Sequence, residues 1–147
     1  MRLTKHSDYA LRVLLYAAVH RERLVSTEEV ATRYGISANH LVKIINNLGK
    51  GGLLEVRRGR GGGLRLARAP ENITLGAVIR QTEPDFYTVE CFDSSANTCP
   101  ILGACGLVDP LREATQAFLA VLDSYTLADV MGPPQRPRYH QLVKLLA

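Results

Sequence analysis

Apolar residues repeat at helical spacing in three segments of the first fifty residues. In the first segment, about Ser7 to His20, they recur at i, i+3, i+4 and i+7, which predicts an amphipathic helix. Its expected buried stripe consists of Leu11, Leu14, Leu15 and Ala18. A second helix is predicted after Ser26, because Ser26 and Glu29 have the spacing of a capping box. Gly35 would end that helix in a left-handed turn, and Ser37 would cap a third helix, SANHLVKIINNL.

Two short helices joined by a glycine turn are typical of a helix-turn-helix. The apolar face of the third helix is formed by Leu41, Ile44, Ile45 and Leu48. Its opposite face carries amide and cationic groups that match base edges and phosphates, and no acid. A polar face is the default for any surface helix, but the missing acids favour nucleic acid. The predicted DNA contacts are Ser37, Asn39, Lys43, Asn46 and Lys50, with His40 and Asn47 on the flank.

A β-hairpin is predicted after this helix, because the apolar runs LLEV and LRLAR flank a tip of arginines and glycines, RRGRGGG. Such a tip suits a narrow minor groove. A nucleotide-binding loop would need a helix after its glycines, whereas a strand follows here. We therefore predict a winged helix-turn-helix domain over residues 1–70, with wing contacts from Arg57, Arg58, Arg60, Gly61 and Gly62.

The sequence of the second half of the chain predicts three further regions. Residues 71–106 would hold a connecting helix from Thr74 to Gln81 and a loop with all three cysteines. Residues 104–131 would hold a long helix from about Ala104 to Asp123 and a short helix after it. Residues 132–147 would form a tail, in which PPQRPRYH is a mobile arm. The long helix has a coiled-coil-like apolar seam of Leu107, Leu111, Ala114, Phe118 and Val121, which favours a two-fold partner over packing on its own domain. The fold class is thus mainly α, with a small β-hairpin wing and a dimerisation helix.

Charge is divided unevenly between the two halves of the 147-residue chain, whose net charge is +4. Residues 1–70 carry 13 Lys/Arg against 5 Asp/Glu, a net +8, and residues 71–147 carry 5 against 9, a net −4. A basic first half suggests a polyanionic partner. No apolar run approaches the roughly 20 residues of a membrane span. Asp8 and Arg12 interrupt the apolar N-terminal segment, which argues against a signal peptide. We expect a cytoplasmic protein.

The cysteines, Cys91, Cys99 and Cys105, follow a C-x7-C-x5-C spacing. An odd count without an export signal argues against a disulfide framework. Structural zinc needs a fourth ligand that the loop lacks, and a thiol switch needs a positive environment that mostly acidic and neutral neighbours do not supply. Thiolates on a wide loop can hold an iron–sulfur cluster. From the spacing alone, an iron–sulfur cluster is favoured only slightly over the alternative that the three cysteines are unrelated and buried.

Four segments together resemble the iron–sulfur winged-helix regulators: MRLTKHSDYALR, GISANHLVKIINNL, RRGRGGGLRL and the loop ending CPILGAC. The resemblance covers nearly the whole chain, to about Met131. It implies a homodimer with one cluster per subunit on Cys91, Cys99 and Cys105. It also implies a 4Fe–4S cluster, with 2Fe–2S as the alternative.

Two details resemble the nitric-oxide-sensing repressors of that family. The first is the pair of segments NHLVKIINNL and YTLADV. The second is Val108, three residues after the third cysteine, where the family's regulators of iron–sulfur assembly have a histidine ligand. The resemblance then implies an oxygen ligand for the fourth iron, and Asp8 of the partner subunit is the candidate. Glu90 and Asp93 are local alternatives. Without the resemblance, Asp8 reads as a solvent-facing charge near a helix N-terminus.

The expected function is a repressor that binds an imperfect palindrome in double-stranded DNA until nitric oxide reacts with its cluster. A relative that senses cluster status or oxidants is the first alternative. A cluster carrier or electron-transfer protein, and a cluster-free thiol regulator, are less favoured. An enzyme is not expected, because the sequence shows no nucleophile–base pair, paired carboxylates or cofactor fingerprint.

Overall fold

The structure is a computed structural model that describes residues 2–147. Helices and one antiparallel hairpin make up the fold, and short 3-10 turns interrupt the connections, which confirms the predicted fold class. Within the described residues the order is α1 (Lys5–Val19), α2 (Thr27–Tyr34), α3 (Ala38–Lys50), β1 (Leu54–Arg57), β2 (Gly63–Leu66), α4 (Leu75–Thr82), α5 (Val108–Asp123), α6 (Leu127–Met131) and α7 (Pro137–Leu146).

Helix α1 lies at the centre of the core. It begins two residues earlier than predicted, because the Thr4 hydroxyl accepts a hydrogen bond from the Ser7 amide at 3.2 Å and caps the helix. The predicted single stripe is wrong in part, since Leu11 and Leu15 are only half-buried. Helix α1 packs against α3, α4, α6, α7 and β2, so more than one face is covered. Its buried apolar residues are Ala10, Val13, Leu14, Tyr16, Ala17 and Ala18.

The helix-turn-helix forms as predicted. Ser26 and Glu29 exchange both capping-box hydrogen bonds, at 2.7 and 3.1 Å. Gly35 ends α2 with φ 63° and ψ 35°, a conformation that costs glycine nothing and other residues about 1 kcal/mol or more. The four predicted apolar residues of α3 are all buried against the rest of the domain.

The wing is a two-stranded antiparallel sheet whose register pairs Leu54 with Leu66 and Val56 with Leu64. A β-bridge between Val25 and Leu64 ties it to the segment before α2. At Gly63 a Cβ atom would lie 2.6 Å from the Val25 carbonyl oxygen, so only glycine permits this close approach. The hairpin is therefore fixed to the helical body at its base.

Helix α4 forms from Leu75, with Thr74 as its cap, in agreement with the predicted connecting helix. Paired backbone hydrogen bonds of 2.8 Å, from Leu75 to Tyr125 and from Leu127 to Ile73, join its start to the start of α6. Thr126 and Asp129 form the second predicted capping box, and Leu127 is fully buried. The segment after α5 thus returns to the winged domain and completes its core.

Helix α5 begins at Val108, four residues later than predicted. A 3-10 turn over Leu102–Ala104 precedes it. Gly103 lies within this turn and Gly106 follows it, and the entropic cost of ordering glycine opposes continuous helix there. Pro110 falls in the first turn of α5, where its missing N–H has no helical partner to lose.

The prediction of a mobile tail is wrong, because residues 137–146 form α7. Tyr139, Leu142, Val143 and Leu146 have i, i+3, i+4, i+7 spacing, and their burial outweighs the preceding prolines. Leu146 is only 6% exposed. His20 Nε2 lies 3.1 Å from its carbonyl oxygen and the Arg33 guanidinium contacts the Ala147 carbonyl, so α7 docks against α1 and α2.

No helix in the part of the chain that the structure describes has the length and apolar character to cross a bilayer.

Candidate nucleic-acid interface and cysteine loop

The outward face of α3, the recognition helix, presents the predicted polar side chains to solvent. Asn39, Lys43, Asn46 and Lys50 are exposed, and so is Ser37 ahead of the helix. The exposed face contains no acid, and its amides and ammonium groups can donate to acceptors on base edges and phosphates. This face can enter a major groove without repelling phosphate.

His40 and Asn47, which share one flank of the recognition helix, instead lie against the protein. The His40 ring packs edge-on to Tyr9 of α1, with centroids 5.2 Å apart. The backbone carbonyl oxygen of Asn47 accepts a hydrogen bond of 2.7 Å from Gln81 Nε2 of α4, and its side-chain Oδ1 lies 3.4 Å from the same nitrogen. Both residues are half-buried, so their predicted contacts with DNA remain predictions.

Val42 lies on the other flank of the recognition helix and was missed by the sequence reasoning. It is 46% exposed and lines a groove between α3 and the wing together with Val56 of β1. The signal was present, since Val42 stands three residues after Asn39 and four before Asn46, on the same face. A methyl-bearing side chain there can contact the C5-methyl group of thymine.

The wing tip presents two arginines that pair with no acid. Among residues 2–147, no salt bridge includes Arg58 or Arg60, whereas Arg57 donates to Glu55 at 3.0 Å. Glu55 also pairs with Arg65, and these two contacts, that with Arg65 first, lower the pKa of its carboxyl group. Gly59 and Gly61 take positive φ values of 93° and 76° and turn the tip. Arg58 and Arg60 are thus available to phosphates or a minor groove.

The three cysteines lie in one segment between α4 and α5, residues 83–107, which we call the cysteine loop. All three are free and half-buried, Cys91 in a 3-10 turn and Cys105 just after another. Across the described residues, no three His, Cys, Asp or Glu side chains come together as a metal-binding group. The thiols suit an iron–sulfur cluster by chemistry, and the loop would have to draw them together to bind one.

Two carboxylates of the cysteine loop hold the loop's own backbone. Glu90 Oε1 accepts from the Thr98 amide at 2.6 Å and from its hydroxyl at 2.7 Å, and these bonds lower the Glu90 pKa. Asp93 Oδ1 accepts from the Ser95 hydroxyl and amide at 2.6 and 2.9 Å, which lowers the Asp93 pKa. Both local candidates for a fourth ligand therefore use one of their two carboxylate oxygens within the loop.

Asp8 stands in the first turn of α1 and pairs with Arg12 one turn later. The contact is bidentate, with Arg12 Nη2 at 2.7 Å from Oδ2 and Nε at 3.1 Å from Oδ1. Both side chains are more than 40% exposed. A second subunit could therefore reach the Asp8 carboxylate, which would then exchange or share its contact with Arg12.

Helix α5 has no buried residue in the isolated chain. Two members of its predicted seam, Leu111 and Phe118, are half-buried where α5 packs beside α4. The outer members, Leu107 and Val121, are 66% and 58% exposed. The helix thus retains an apolar strip beyond what its own domain covers.

Together these features define a winged helix-turn-helix DNA-binding protein with a cysteine-rich loop. The sequence model of the Rrf2 family, described as "Iron-dependent Transcriptional regulator", matches residues 3–133, so the chain belongs to this family. It is accordingly a DNA-binding transcriptional regulator and not an enzyme.

Named relatives agree with this assignment. The chain is 51% identical over 132 residues to the HTH-type transcriptional regulator NsrR of Bacillus subtilis (strain 168), covering 89% of this chain and 90% of that protein. It is 43% identical over 145 residues to protein aau3 of Rhizobium meliloti (strain 1021), covering 99% and 93%. The solved structure of T. potens IscR superimposes with a TM-score of 0.71 at 28% identity, covering 89% and 86%.

Proposed function

We propose that this regulator is a repressor whose operator binding is controlled by an iron–sulfur cluster that reacts with nitric oxide. The observation that carries the proposal is the position of the three free thiols. They all lie in the one loop that connects α4 to the exposed helix α5. The identity of about half of the aligned residues with proteins named NsrR supports the nitric oxide signal.

DNA would bind to a homodimer that forms through the exposed strip of α5. Two recognition helices related by a two-fold axis would then enter successive major grooves of an imperfect palindrome. Asn39, Lys43, Asn46 and Val42 would face the bases, and Arg58 and Arg60 would lie at the flanking minor grooves.

Cys91, Cys99 and Cys105 would hold the cluster, and the partner subunit's Asp8 is our candidate for the remaining position. The Asp8 side chain is 46% exposed, which supports a ligand donated to the partner subunit once its contact with Arg12 is exchanged or shared. We propose a 4Fe–4S cluster, which supplies iron that reacts with nitric oxide. Three thiolates leave one iron of such a cluster for an oxygen ligand.

The energetic demand on this switch is modest. Weakening operator binding about a hundredfold requires roughly 2.7 kcal/mol of coupling between the two sites. Rearranging the cysteine loop, residues 83–107, can supply that amount, because the loop connects α4, which contacts the recognition helix, to α5.

A related function is the second candidate: a regulator of the same family that senses cluster status or oxidants. The likeness to a structure titled IscR and the family description favour it. The two candidates differ in the chemical signal, while the cysteines and the DNA-binding face serve both.

The test is anaerobic purification followed by iron and sulfide counts, an absorption spectrum and operator binding with and without a nitric oxide donor. We expect about four irons per subunit, visible cluster absorbance and operator release by nitric oxide. Cys91→Ala, Cys99→Ala and Cys105→Ala variants should lose the absorbance and bind the operator weakly. Variants that bind as tightly as the parent while ignoring nitric oxide would contradict cluster control of DNA binding.

The same assay separates the alternatives. Release by peroxide but not by nitric oxide would favour the oxidant sensor. Tight, thiol-dependent operator binding by iron-free protein would favour a cluster-free thiol regulator.

A further inference from the structure

The last residues of α4 and its C-cap, residues 80–83, contact three other helices, α5, α3 and α1, and we call them the α4 junction. Arg80 forms a bidentate ion pair with Asp123 at the end of α5, with distances of 2.5 and 2.6 Å. Gln81 Nε2 donates to the Asn47 carbonyl oxygen of the recognition helix at 2.7 Å. The end of α4 thus joins α5 to the recognition helix.

The other two residues of the α4 junction tie it to the start of α1. Thr82 Oγ1 donates to Ser7 Oγ at 2.8 Å, and both side chains are buried. Glu83 Oε1 accepts from the Thr4 amide at 2.8 Å and from its hydroxyl at 3.1 Å. Since buried hydrogen bonds are costly to leave unmade, α4 and the first turn of α1 should move together.

The contact of Gln81 with the recognition helix is close and specific. The Asn47 carbonyl oxygen also accepts from the Gly51 amide at 3.1 Å, so its two lone pairs are both used. Gly51 follows the last residue of α3, and a Cβ atom at this position would collide with the Gln81 amide. A larger residue here would therefore have to displace the end of the Gln81 side chain, since the Gly51 φ of −81° is open to any residue.

The α4 junction also marks the beginning of the cysteine loop. Glu83 is the first residue of that loop, and the other end of the loop leads into α5. A rearrangement of the loop therefore pulls directly on the residue next to Thr82 and two from Gln81. The cysteine loop is therefore connected to the end of the recognition helix through these few residues, without a path through the core.

We propose that Gln81 is a positioning residue that couples the cysteine loop to the recognition helix. It holds the C-terminal end of α3 in the orientation that binds the operator, and it shifts when the loop rearranges. The inference rests on the proposed cluster control of DNA binding and assigns the residue through which that control reaches α3.

The experiment compares operator dissociation constants of cluster-loaded and cluster-free protein for the parent, Gln81→Glu and Gln81→Met. Operator DNA is a duplex selected from a random pool by the loaded parent. Glutamate keeps the shape of the side chain but cannot donate to the Asn47 carbonyl, and methionine removes the hydrogen bond without adding charge. Gln141→Glu makes the same chemical change at an exposed position of α7 and serves as the control.

We expect the ratio of the two dissociation constants to fall by roughly tenfold in both Gln81 variants and to stay at the parental value in Gln141→Glu. Cluster absorbance should be unchanged in all of them. A parallel loss of affinity in both forms, with an unchanged ratio, would show a merely structural role and overturn the proposal. A parental ratio of one would reject cluster control itself, and the coupling role with it.

A steric test changes Gly51, on the other side of the contact, and leaves the hydrogen-bonding groups of Gln81 unchanged. Gly51→Ala should displace the Gln81 amide and reduce the ratio as Gln81→Met does. Removing the obstructing amide in the double variant Gly51→Ala/Gln81→Ala should leave the ratio no lower than in Gln81→Ala alone. Additive losses in the double variant would mean that the two residues act independently, contrary to the proposal.

Discussion

Single side-chain hydrogen bonds at helix N-termini determine where helices of the DNA-binding domain begin. Glu29 closes the capping box of α2 and also pairs with Arg23 at 2.8 Å. The Arg23 contact, and then the hydrogen bond from the Ser26 amide, lower the Glu29 pKa. A carboxyl whose pKa is lower in the folded state stabilises the fold above its unfolded pKa and loses that contribution as pH falls through the folded value.

We therefore predict that Glu29→Gln reduces the pH dependence of stability on the acid side. Between neutral pH and pH values below the ordinary carboxyl pKa of 4.5, the parent should lose more free energy of unfolding than the variant. Urea denaturation at a series of pH values measures the difference. Parallel curves for the two proteins would show that Glu29 ionisation contributes nothing.

Val42 gives a prediction about sequence reading by a single side chain. Replacing each thymine of the selected operator by uracil removes only the C5-methyl group, and one such replacement should weaken parental binding by about 1 kcal/mol. The same replacement should have little effect on Val42→Ala, which lacks the contacting methyl groups. Equal losses in the parent and in the variant at every thymine would exclude this role for Val42.

Elements with a clear period and a capped start could be predicted from the sequence. Helices α2, α4 and α6 follow capping residues, and α3 has a continuous apolar face, so local interactions and tertiary burial agree. The tail is harder to predict, because Pro133, Pro134 and Pro137 are typical of irregular chain whereas apolar residues with helical spacing follow them. Pro137 is instead the first residue of α7, a position where its fixed φ favours a helix.

Helix α7 gives a matched pair of adjacent leucines for a stability prediction. Leu146→Ala should cost about 2–5 kcal/mol, because its side chain is buried in the core and would leave a cavity. Leu145→Ala should change stability by less than about 0.5 kcal/mol, since Leu145 is 62% exposed. Chemical denaturation of both variants measures this, and equal effects would mean that α7 does not dock.

The wing gives a prediction at the same scale, on the salt dependence of DNA binding. Each phosphate contact contributes roughly 0.9 to the slope of log affinity against log salt. Arg58→Ala/Arg60→Ala should therefore reduce the slope by up to about 2, because neither arginine pairs with an acid. The variant Arg136→Ala/Arg138→Ala loses the same charge outside the wing, and an equal reduction there would indicate a general charge effect.

At the scale of the whole molecule, the candidate site could be predicted only in its ingredients. The sequence contains the residues of the recognition face and the cysteines, but in the site that we propose the grouping of ligands depends on how the loop closes and on a second subunit. The engagement of His40 and Asn47 by α1 and α4 is likewise a tertiary effect. Periodicity assigns a residue to a face of its helix, and neighbouring elements decide how much of that face stays open.

The exposed strip of α5 carries the last prediction, which concerns assembly. Val121→Glu places a charge on the strip and should convert the dimer that we propose to monomer, because burying an unpaired carboxylate costs several kcal/mol. Operator affinity should fall with it, since one recognition helix reads only one half-site. Ala120→Glu adds the same charge to an exposed neighbour about 100° around the helix, away from Phe118, and should remain dimeric. Analytical ultracentrifugation at micromolar concentration measures both variants, and a dimeric Val121→Glu protein would place the subunit interface elsewhere.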